Sequence, residues 1–245
     1  MNTESAPVIV IGGGIVGASI AWHLAREKRD VILITETIGG VATPKSFCWL
    51  NAAGATQKFY YDFRRRSMAR WAEMGKELSD LSIHWGGVLA CDRTPQERQG
   101  FYERQRLWGT SIKRMEAAEL AALESQVDEA QFSLITWGLH VPEEGTIEAH
   151  AAAAKLIAHA QSHVVLAAGL GSVPLLATEN TRLPLTGREG LLVNTAPTEK
   201  RYLNTFLRLP GLHMRQTLNG RSARPSLVDS PVMTRRQQQR IFLAK

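Results

Sequence analysis

A glycine-rich turn near the N-terminus constrains the fold of this chain more than any other feature. The apolar run Val8–Ile11 leads into the sequence GGGIVG at residues 12–17, and a helical pattern follows. Gly12 permits a tight turn, Gly14 lets the backbone approach a pyrophosphate, and Gly17 lets the helix pack closely against the strand. The helix N-terminus then offers N–H groups and the positive end of its dipole to phosphates.

A carboxylate follows this turn at the spacing that ribose recognition requires. The second apolar run, Val31–Thr35, ends next to Glu36, which lies 19 residues after Gly17. Glu36 can accept hydrogen bonds from the hydroxyls of an adenosine ribose, and it would repel the 2′-phosphate of NADP. Strand, glycine turn, helix, strand and acid in this order therefore predict a site for FAD or NAD.

Length and composition fit an ordinary globular protein. The 245 residues are 44% hydrophobic and 21% charged, which is enough to bury a substantial core. Cys48 and Cys91 lie far apart and form no metal-binding spacing, so we expect no metal site and a reducing, cytoplasmic location. Because no apolar run reaches about 18 residues, we predict no transmembrane segment.

Positive charge is concentrated at the C-terminal end of the sequence. Residues 201–245 contain nine Lys and Arg but one acidic residue, Asp229. Nucleic acid or an anionic membrane could attract such a segment. However, three glutamines lie between Arg236 and Arg240, and no aromatic residue is interleaved with these arginines. We therefore interpret residues 221–245 as a solvated basic tail and expect no nucleic-acid partner.

The periodicity of apolar residues predicts alternating helices and strands along the rest of the chain. Ile20, Ala21 and Leu24 form the expected inner face of the first helix, and residues 39–51 form a loop. The further predicted helices cover 59–78, 94–108, 117–124 and 147–161, and the further predicted strands cover 83–89, 132–141, 164–169 and 212–217. Phe59, Phe63, Met68 and Met74 are the expected core residues of the helix at 59–78.

Three stretches together resemble one enzyme family. They are residues 12–36, the segment Thr43–Asn51 with the sequence TPKSFCWLN, and the strand Val164–Gly169 followed by Pro174-Leu175-Leu176. The chain is similar in these stretches to the FAD-dependent D-amino acid oxidase/glycine oxidase family of oxidoreductases. The resemblance implies an α/β fold, with a Rossmann-like FAD/NAD(P)-binding domain and an interleaved, incomplete antiparallel-sheet substrate domain. It places the nucleotide-binding parts at about 7–56 and 145–180, and the substrate-domain parts at about 80–144 and 181–220.

The resemblance also implies a cofactor, a reaction and site residues. FAD would accept a hydride from the C–N bond of an amino acid or secondary amine. The implied cofactor-binding residues are Gly12, Gly14, Ile15, Val16, Gly17, Glu36, Thr43, Lys45, Ser46, Ala168 and Gly169. His213 and Arg215 lie on a predicted substrate-domain strand, where Arg215 could pair with a substrate carboxylate. No catalytic base is predicted.

Two departures from the family pattern keep other functions open. The first departure is that only Ser162 and His163 separate the predicted helix at 147–161 from the strand at 164, where family members have a further section. The second departure is that only 14 residues follow Pro231, fewer than the family pattern has there. We therefore expect an abridged member that is a poor oxidase by itself, with a partner subunit or homo-oligomer covering apolar sheet surface. The alternatives are a non-catalytic nucleotide-binding remnant of the family and, less well matched, an NAD-dependent dehydrogenase.

Overall fold

A computed structural model describes residues 6–133, 135–160, 191–194, 200–209, 212–217 and 222–226. The chain divides into two compact units that are interleaved in sequence. The first comprises Met1–Ser46, Ser79–Ser82 and Glu148–Glu189, and the second comprises Phe47–Leu78, Ile83–Ile147 and Gly190–Lys245. The first boundary between the units falls between Ser46 and Phe47, and Trp49 and Leu50 pair with a strand of the second unit.

The first unit contains the predicted strand–turn–helix–strand sequence. Its described elements are β1 (Val8–Ile11), α1 (Ile15–Arg26), β2 (Val31–Ile34), a short 3-10 helix (Thr43–Lys45) and, from the later segment, a helix at Ala149–His159. The strands β1 and β2 pair in parallel, with Val8 opposite Val31 and Ile11 opposite Ile34. The helix α1 packs against both strands and against the helix at Ala149–His159.

Burial in this unit differs in part from the pattern expected from the sequence. The strand β1 is apolar throughout, yet Ile9 is 58% exposed while Val10 is buried. Side chains alternate between the two faces of a strand, so only the face that meets α1 is covered among the described residues. Ile20 is also exposed, and Gly17, Ala18, Ala21 and Trp22 form the buried side of α1 instead. Small residues let this helix lie close to its neighbours.

The second unit is built mainly around one seven-stranded sheet. Its first elements are β3 (Trp49–Leu50), α2 (Lys58–Glu77), β4 (Ile83–His84), β5 (Val88–Ala90), α3 (Pro95–Leu107), β6 (Lys113–Glu116) and α4 (Ala117–Leu123). They are followed by β7 (Trp137–Val141), β8 (Gly145–Ile147), β9 (Leu191–Asn194), β10 (Phe206–Leu209), β11 (Leu212–Gln216) and β12 (Ser222–Ser226). The helix of the first unit at Ala149–His159 lies between β8 and β9 in the sequence, and we call it α5. The strand order is β6-β7-β5-β10-β11-β12-β9, and β3, β8 and β4 form a small separate sheet.

Within the described part of the large sheet, neighbouring strands are antiparallel with one exception. β5 and β10 run parallel, with Ala90 opposite Arg208, whereas β10 and β11 are antiparallel, with Arg208 opposite His213. The strand β12 pairs antiparallel with β11, so residues 222–226 belong to the sheet and not to the basic tail. The rest of that predicted tail, 227–245, lies outside the described residues.

Several predicted elements are shorter or divided. The strand expected at 83–89 is two strands, because Gly87 has a φ of 77° and breaks the extended backbone. The strand expected at 132–141 begins at Trp137, and the expected loop at 39–51 contains the 3-10 helix and β3. The helix at 94–108 is found as α3, with Thr94 as its N-cap residue and Pro95 as its first residue. The predicted strand at 164–169 lies outside the described residues.

Apolar side chains cover both faces of the large sheet. One face packs around Leu89, Leu120, Phe132, Leu207 and Met214. On the other face, α3 contributes Phe101, which packs with Trp137 and Leu139 of β7. Phe59 and Phe63, predicted to lie in the core, are 70% and 61% exposed, because α2 turns Tyr61, Met68 and Met74 inward instead. No helix in the described parts of the chain has the length and apolar character needed to cross a membrane.

Candidate functional site

The glycine turn of the first unit is held by backbone hydrogen bonds. Gly12 has a φ of 105°, and its N–H donates to the carbonyl oxygen of Ile34 at 3.0 Å. The N–H of Gly13 donates to Oγ1 of Thr35 at 2.8 Å, and that hydroxyl donates to the carbonyl oxygen of Thr37. The positive φ at Gly12 requires a residue without a side chain. The turn therefore has the tight conformation expected from the sequence.

Thr43 caps the helix α1 from outside the helix. Gly14 is the N-cap residue and has no side chain for this task. The Oγ1 atom of Thr43, which is buried, accepts the N–H of Ile15 at 3.0 Å. This bond satisfies one of the N–H groups that a helix leaves without an internal partner. The structure thus brings Thr43 and Ile15, two predicted site residues, into direct contact.

A second pair of glycines lies against the first turn. Gly40 has a φ of 64°, and a Cβ atom at this position would lie 3.0 Å from Cα of Gly14. The N–H of Gly39 donates to the carbonyl oxygen of Gly13 at 2.8 Å, and a Cβ on Gly39 would collide with the ring of His150. Sequence reasoning placed Gly39 and Gly40 in a loop and gave them no role. Their adjacency was the signal for a close backbone approach.

The other predicted cofactor residues lie around this turn or outside the described residues. Gly17 is buried, and Val16 and Glu36 are exposed, with Glu36 two residues beyond the end of β2. Lys45 and Ser46 are exposed at the end of the 3-10 helix. Ala168 and Gly169 lie outside the described residues.

The turn fits the pyrophosphate of an adenine dinucleotide. A Cβ atom at Gly14 would lie 3.1 Å from Oγ1 of Thr43, so a side chain would fill the space beside the N-terminus of α1. Without one, the backbone at Gly14 stays open to a close approach by phosphate, and the helix dipole favours its negative charge. An exposed carboxylate, Glu36, follows the second strand where a ribose hydroxyl would be recognised.

The large sheet of the second unit carries cationic and aromatic side chains on one of its faces. Phe206 and Arg208 are two residues apart on β10, and His213 and Arg215 are two residues apart on β11. Because Arg208 lies opposite His213, all four side chains share one face of the sheet. Phe206 and Arg215 are buried. The ring of His213 lies edge-on to that of Phe206, with centroids 6.1 Å apart. This face therefore combines two guanidinium groups and an imidazole with an aromatic ring.

Two aromatic residues of the segment that enters β3 cover this face. The ring centroids of Phe47 and Trp49 lie 4.8 and 4.5 Å from that of Phe206. The guanidinium of Arg208 lies 5.4 Å from the centroid of Trp49, and that of Arg215 lies 5.9 Å from the centroid of Phe47. These distances are within the range of cation–π attraction. We call Phe47, Trp49, Phe206, Arg208, His213 and Arg215 the cationic–aromatic face.

Asp92 supplies the negative charge next to this face. Its carboxylate forms an ion pair with Arg208 and lies 3.6 Å from Nε2 of His213. Burial alone would raise the pKa of Asp92, but the nearby imidazole of His213 and the charges of Arg208 and Arg93 lower it to about 2. Asp92 is therefore ionised at any ordinary pH.

A buried carboxylate fixes the backbone next to Trp49. Oε1 of Glu144 accepts the N–H groups of Ala52 and Ala53 at 2.9 and 2.8 Å, and Oε2 accepts the indole N–H of Trp49 at 3.0 Å. Burial raises the pKa of Glu144 to about 7, although these three donors oppose the shift. Glu144, which directly precedes β8, thereby links this strand to the chain segment that contains Phe47 and Trp49.

Sequence reasoning found only part of this second arrangement. His213 and Arg215 were placed on a substrate-domain strand, and they do lie together on β11. Asp92, Arg208 and Glu144 were missed, because each pairs with residues far away in sequence. Arg215 is buried, although charged residues on a strand are more often exposed. No group of three or more His, Cys, Asp or Glu side chains in the described ranges could hold a metal ion.

Comparison with protein families gives one match over most of the chain. The family described as FAD dependent oxidoreductase matches residues 7–163. Glycine oxidase of Bacillus licheniformis is 29% identical over 159 residues, which are 61% of this chain and 42% of that enzyme. Glycine oxidase of Bacillus subtilis strain 168 is 35% identical over 89 residues, or 24% of its length. The aligned part of the chain thus spans less than half of either relative.

Solved structures match the fold over nearly the whole chain. The iminodiacetate oxidase from Chelativorans sp. BNC1 gives a TM-score of 0.75 at 19% identity, covering 97% of this chain and 77% of that one. The glycine oxidase from Geobacillus kaustophilus gives a TM-score of 0.72 at 19% identity, covering 93% of this chain and 74% of that one. These similarities confirm the predicted fold class, a Rossmann-like nucleotide-binding domain with an incomplete antiparallel-sheet domain.

Proposed function

The chain belongs to the family of FAD-dependent oxidoreductases, and on that premise we propose that it oxidises the C–N bond of an amino acid or secondary amine. FAD is the cofactor of this family, in agreement with the prediction from the glycine turn. When bound, FAD supplies the hydride acceptor for such an oxidation. The chain's own residues then have two tasks, which are to hold the dinucleotide and to hold the amine.

The first task falls to the glycine turn and the N-terminus of α1. Two amides of the first helical turn have protein acceptors, since Ile15 donates to Thr43 and Ala18 donates to the carbonyl oxygen of Gly14. We assign the next two amides, of Val16 and Gly17, to the phosphates, because they lie at the positive end of the helix dipole. Thr43 then acts by fixing the orientation of Ile15.

Three residues beyond the turn complete the proposed dinucleotide site. Glu36 would accept hydrogen bonds from the ribose, since it follows β2 and is exposed. Lys45 and Ser46 lie one turn after Thr43 and are exposed, so an ammonium and a hydroxyl group are accessible beside the capped helix. The roles of Ala168 and Gly169 against the cofactor rest on the family resemblance.

The second task falls to the cationic–aromatic face of the sheet. An amino acid carries a carboxylate, and a guanidinium can bind it through two parallel hydrogen bonds. We propose that Arg215 holds this carboxylate, because it lies on the same face as Phe206 and next to the ring of Phe47. The aromatic rings of Phe47, Trp49 and Phe206 would exclude water and contact the apolar part of the substrate.

The observation that carries the proposal is the capped glycine turn in a chain that matches the oxidoreductase family over residues 7–163. It is tested by adding FAD to the purified protein and recording the visible absorption spectrum. Glycine, sarcosine, proline and a set of D-amino acids are then added without oxygen. We expect a bound-flavin spectrum that at least one amine bleaches. Bound flavin that no amine reduces would instead favour a non-catalytic dinucleotide-binding protein, and an unchanged spectrum without bound flavin would contradict the cofactor site.

A further inference from the structure

The N-terminal half of α2 presents three aromatic side chains to the outside of the second unit. Phe59, Tyr60 and Phe63 are 70%, 43% and 61% exposed. Phe59 and Phe63 are four residues apart, so they project from the same side of the helix. The rings of Tyr60 and Phe63 lie nearly parallel, with their centroids 6.4 Å apart. Exposed apolar side chains that form one contiguous group on a folded protein indicate a binding surface.

The end of α3 adds a fourth apolar side chain to this region. Leu107, the last residue of α3, is 83% exposed, and Arg106 before it is also exposed. The ring centroid of Trp108 lies 5.3 Å from that of Tyr61, which is buried on the inner side of α2. The hydroxyl of Tyr61 also shares a hydrogen bond with Oγ1 of Thr110. The end of α3 and the start of α2 are therefore neighbours within the second unit.

The charged residues around these apolar side chains are mostly basic. Residues 57–66, with the sequence QKFYYDFRRR, contain four Lys and Arg but one acidic residue, Asp62. The carboxylate of Asp62 is already paired with Lys58. Arg66 is exposed and follows Phe63 by three residues, so the two side chains are neighbours on the helix surface. We call the following residues the basic aromatic surface: Phe59, Tyr60, Phe63, Arg66, Arg106 and Leu107.

Two other arginines anchor the helix that carries this surface. Arg64 donates a hydrogen bond to Oδ1 of Asn51, and its guanidinium lies 4.6 Å from the ring centroid of Tyr60. Arg65 forms an ion pair with Glu143 at 2.7 Å. These contacts hold α2 to the rest of the second unit, so the exposed rings project from a fixed helix.

We propose that the basic aromatic surface docks the protein on a membrane whose lipids carry negative charge. Anionic headgroups attract exposed arginines, and the interfacial region of a bilayer takes up aromatic and aliphatic side chains. A bilayer of this kind therefore complements both parts of the surface. A second copy of the chain fits less well, because the same basic residues would then face one another. The proposal goes beyond the oxidation proposed above and does not depend on it.

The test measures how the full chain, with FAD added, partitions onto lipid vesicles. One set of vesicles contains phosphatidylcholine alone, and the other contains equal parts of phosphatidylcholine and phosphatidylglycerol. Bound protein is separated from unbound protein by sedimentation of the vesicles. We expect partitioning to be at least tenfold stronger onto the anionic vesicles, and to weaken at high salt because salt screens exposed charges. The flavin absorption spectrum, recorded on the same samples, tests the cofactor site separately.

The double variant F59S/F63S removes the two most exposed aromatic rings of the surface. Its partitioning onto anionic vesicles should be at least tenfold weaker than that of the wild type. The basic residues after Ser226 could attract the same vesicles, but they are identical in both proteins. Y202S is the matched control and should bind as the wild type does, because Tyr202 is an exposed aromatic residue beside Lys200 and outside this surface. R66Q removes one exposed charge and should weaken partitioning by about fivefold at low salt.

A tryptophan at position 59 gives a second measurement that keeps both aromatic positions filled. If the ring enters the bilayer, lipids with brominated chains should quench the fluorescence of F59W more than that of the wild type. Equal partitioning of F59S/F63S and the wild type, or no additional quenching in F59W, would overturn the proposal. Protein that stays off the vesicles but forms dimers, which F59S/F63S dissociates, would assign the surface to a second copy instead.

Discussion

The indole N–H of Trp49 donates a hydrogen bond to the carboxylate of Glu144 at 3.0 Å, although 95 residues separate the two in the sequence. The other carboxylate oxygen accepts the N–H groups of Ala52 and Ala53. One buried side chain thus holds both the aromatic residue that covers Phe206 and the turn that follows it.

We expect Glu144→Gln to destabilise the protein. An amide has one accepting oxygen, so its NH2 group must face either the Trp49 indole N–H or the two alanine N–H groups. A buried donor is then left without an acceptor, which costs about 1–3 kcal/mol. Denaturant unfolding measures this difference, and Glu143→Gln is the neighbouring control, since Glu143 is only partly buried. Equal stability of the two variants would contradict the role assigned to Glu144.

The pH dependence of stability should also change in Glu144→Gln. Burial raises the pKa of Glu144 in the folded protein from 4.5 to about 7, so folding favours its protonated form. The wild-type protein should therefore lose stability as the pH rises from about 4.5 to about 7, and this contribution should be constant above that range. The variant lacks the titrating group, so its free energy of unfolding should fall less over the same range. Parallel curves for the two proteins would refute this.

Gly14→Val should abolish FAD binding. The branched side chain would occupy the space beside the N-terminus of α1, where even a Cβ atom would lie 3.1 Å from Oγ1 of Thr43. Quenching of flavin fluorescence on titration with protein measures the affinity. The matched control is Gly100→Val on α3, because a Cβ atom at Gly100 would meet no atom within 4 Å apart from its chain neighbours and the backbone of its own helix. Wild-type affinity in Gly14→Val would remove the turn from the cofactor site.

Glu36→Ala should weaken FAD binding without affecting the fold. The exposed carboxylate is proposed to accept a hydrogen bond from the ribose, and losing a bond to a charged group costs about 1.5–3 kcal/mol. The dissociation constant should therefore rise by roughly 10- to 150-fold. Glu27→Ala, at an exposed position after α1, should bind FAD as the wild type does. A normal dissociation constant for Glu36→Ala would separate Glu36 from the cofactor.

Thr43→Val should lower the stability of the first unit by about 1 kcal/mol, the usual value of a helix N-cap. Valine has the shape of threonine but cannot accept the N–H of Ile15, whereas Thr43→Ser keeps the hydroxyl. Thermal unfolding of the three proteins without FAD gives the comparison. The interpretation of Thr43 as the cap fails if serine and valine have the same effect.

Arg215→Met should weaken the binding of monocarboxylates to the FAD-loaded protein by at least tenfold, because a charge-assisted pair is lost. Titration calorimetry with butanoate measures this change. Arg66→Met is the control, since Arg66 is exposed on α2. Butanoate affinity that is equal in the two variants would exclude Arg215 from the carboxylate site.

The sequence by itself determined the features that depend on neighbouring residues. The order of β1, glycine turn, α1 and β2 follows from apolar periodicity and from residues that tolerate a positive φ. The start of α3 is equally local, since Thr94 and Glu97 cap the helix reciprocally across three residues. The nucleotide-binding character of the chain was predictable for this reason.

Only the tertiary structure decided which distant groups meet. The hydroxyl of Thr43 reaches Ile15 across 28 residues. Arg208 reaches Asp92 across 116 residues, because the pairing of β5 with β10 brings their segments together. The tertiary structure also decided which apolar side chains are buried. Phe59 is exposed, because the helical pattern of α2 has apolar residues on more than one side and packing covers only some of them. Periodicity along a chain specifies its helices and strands, but it contains no record of the partners that each face acquires when the sheet forms.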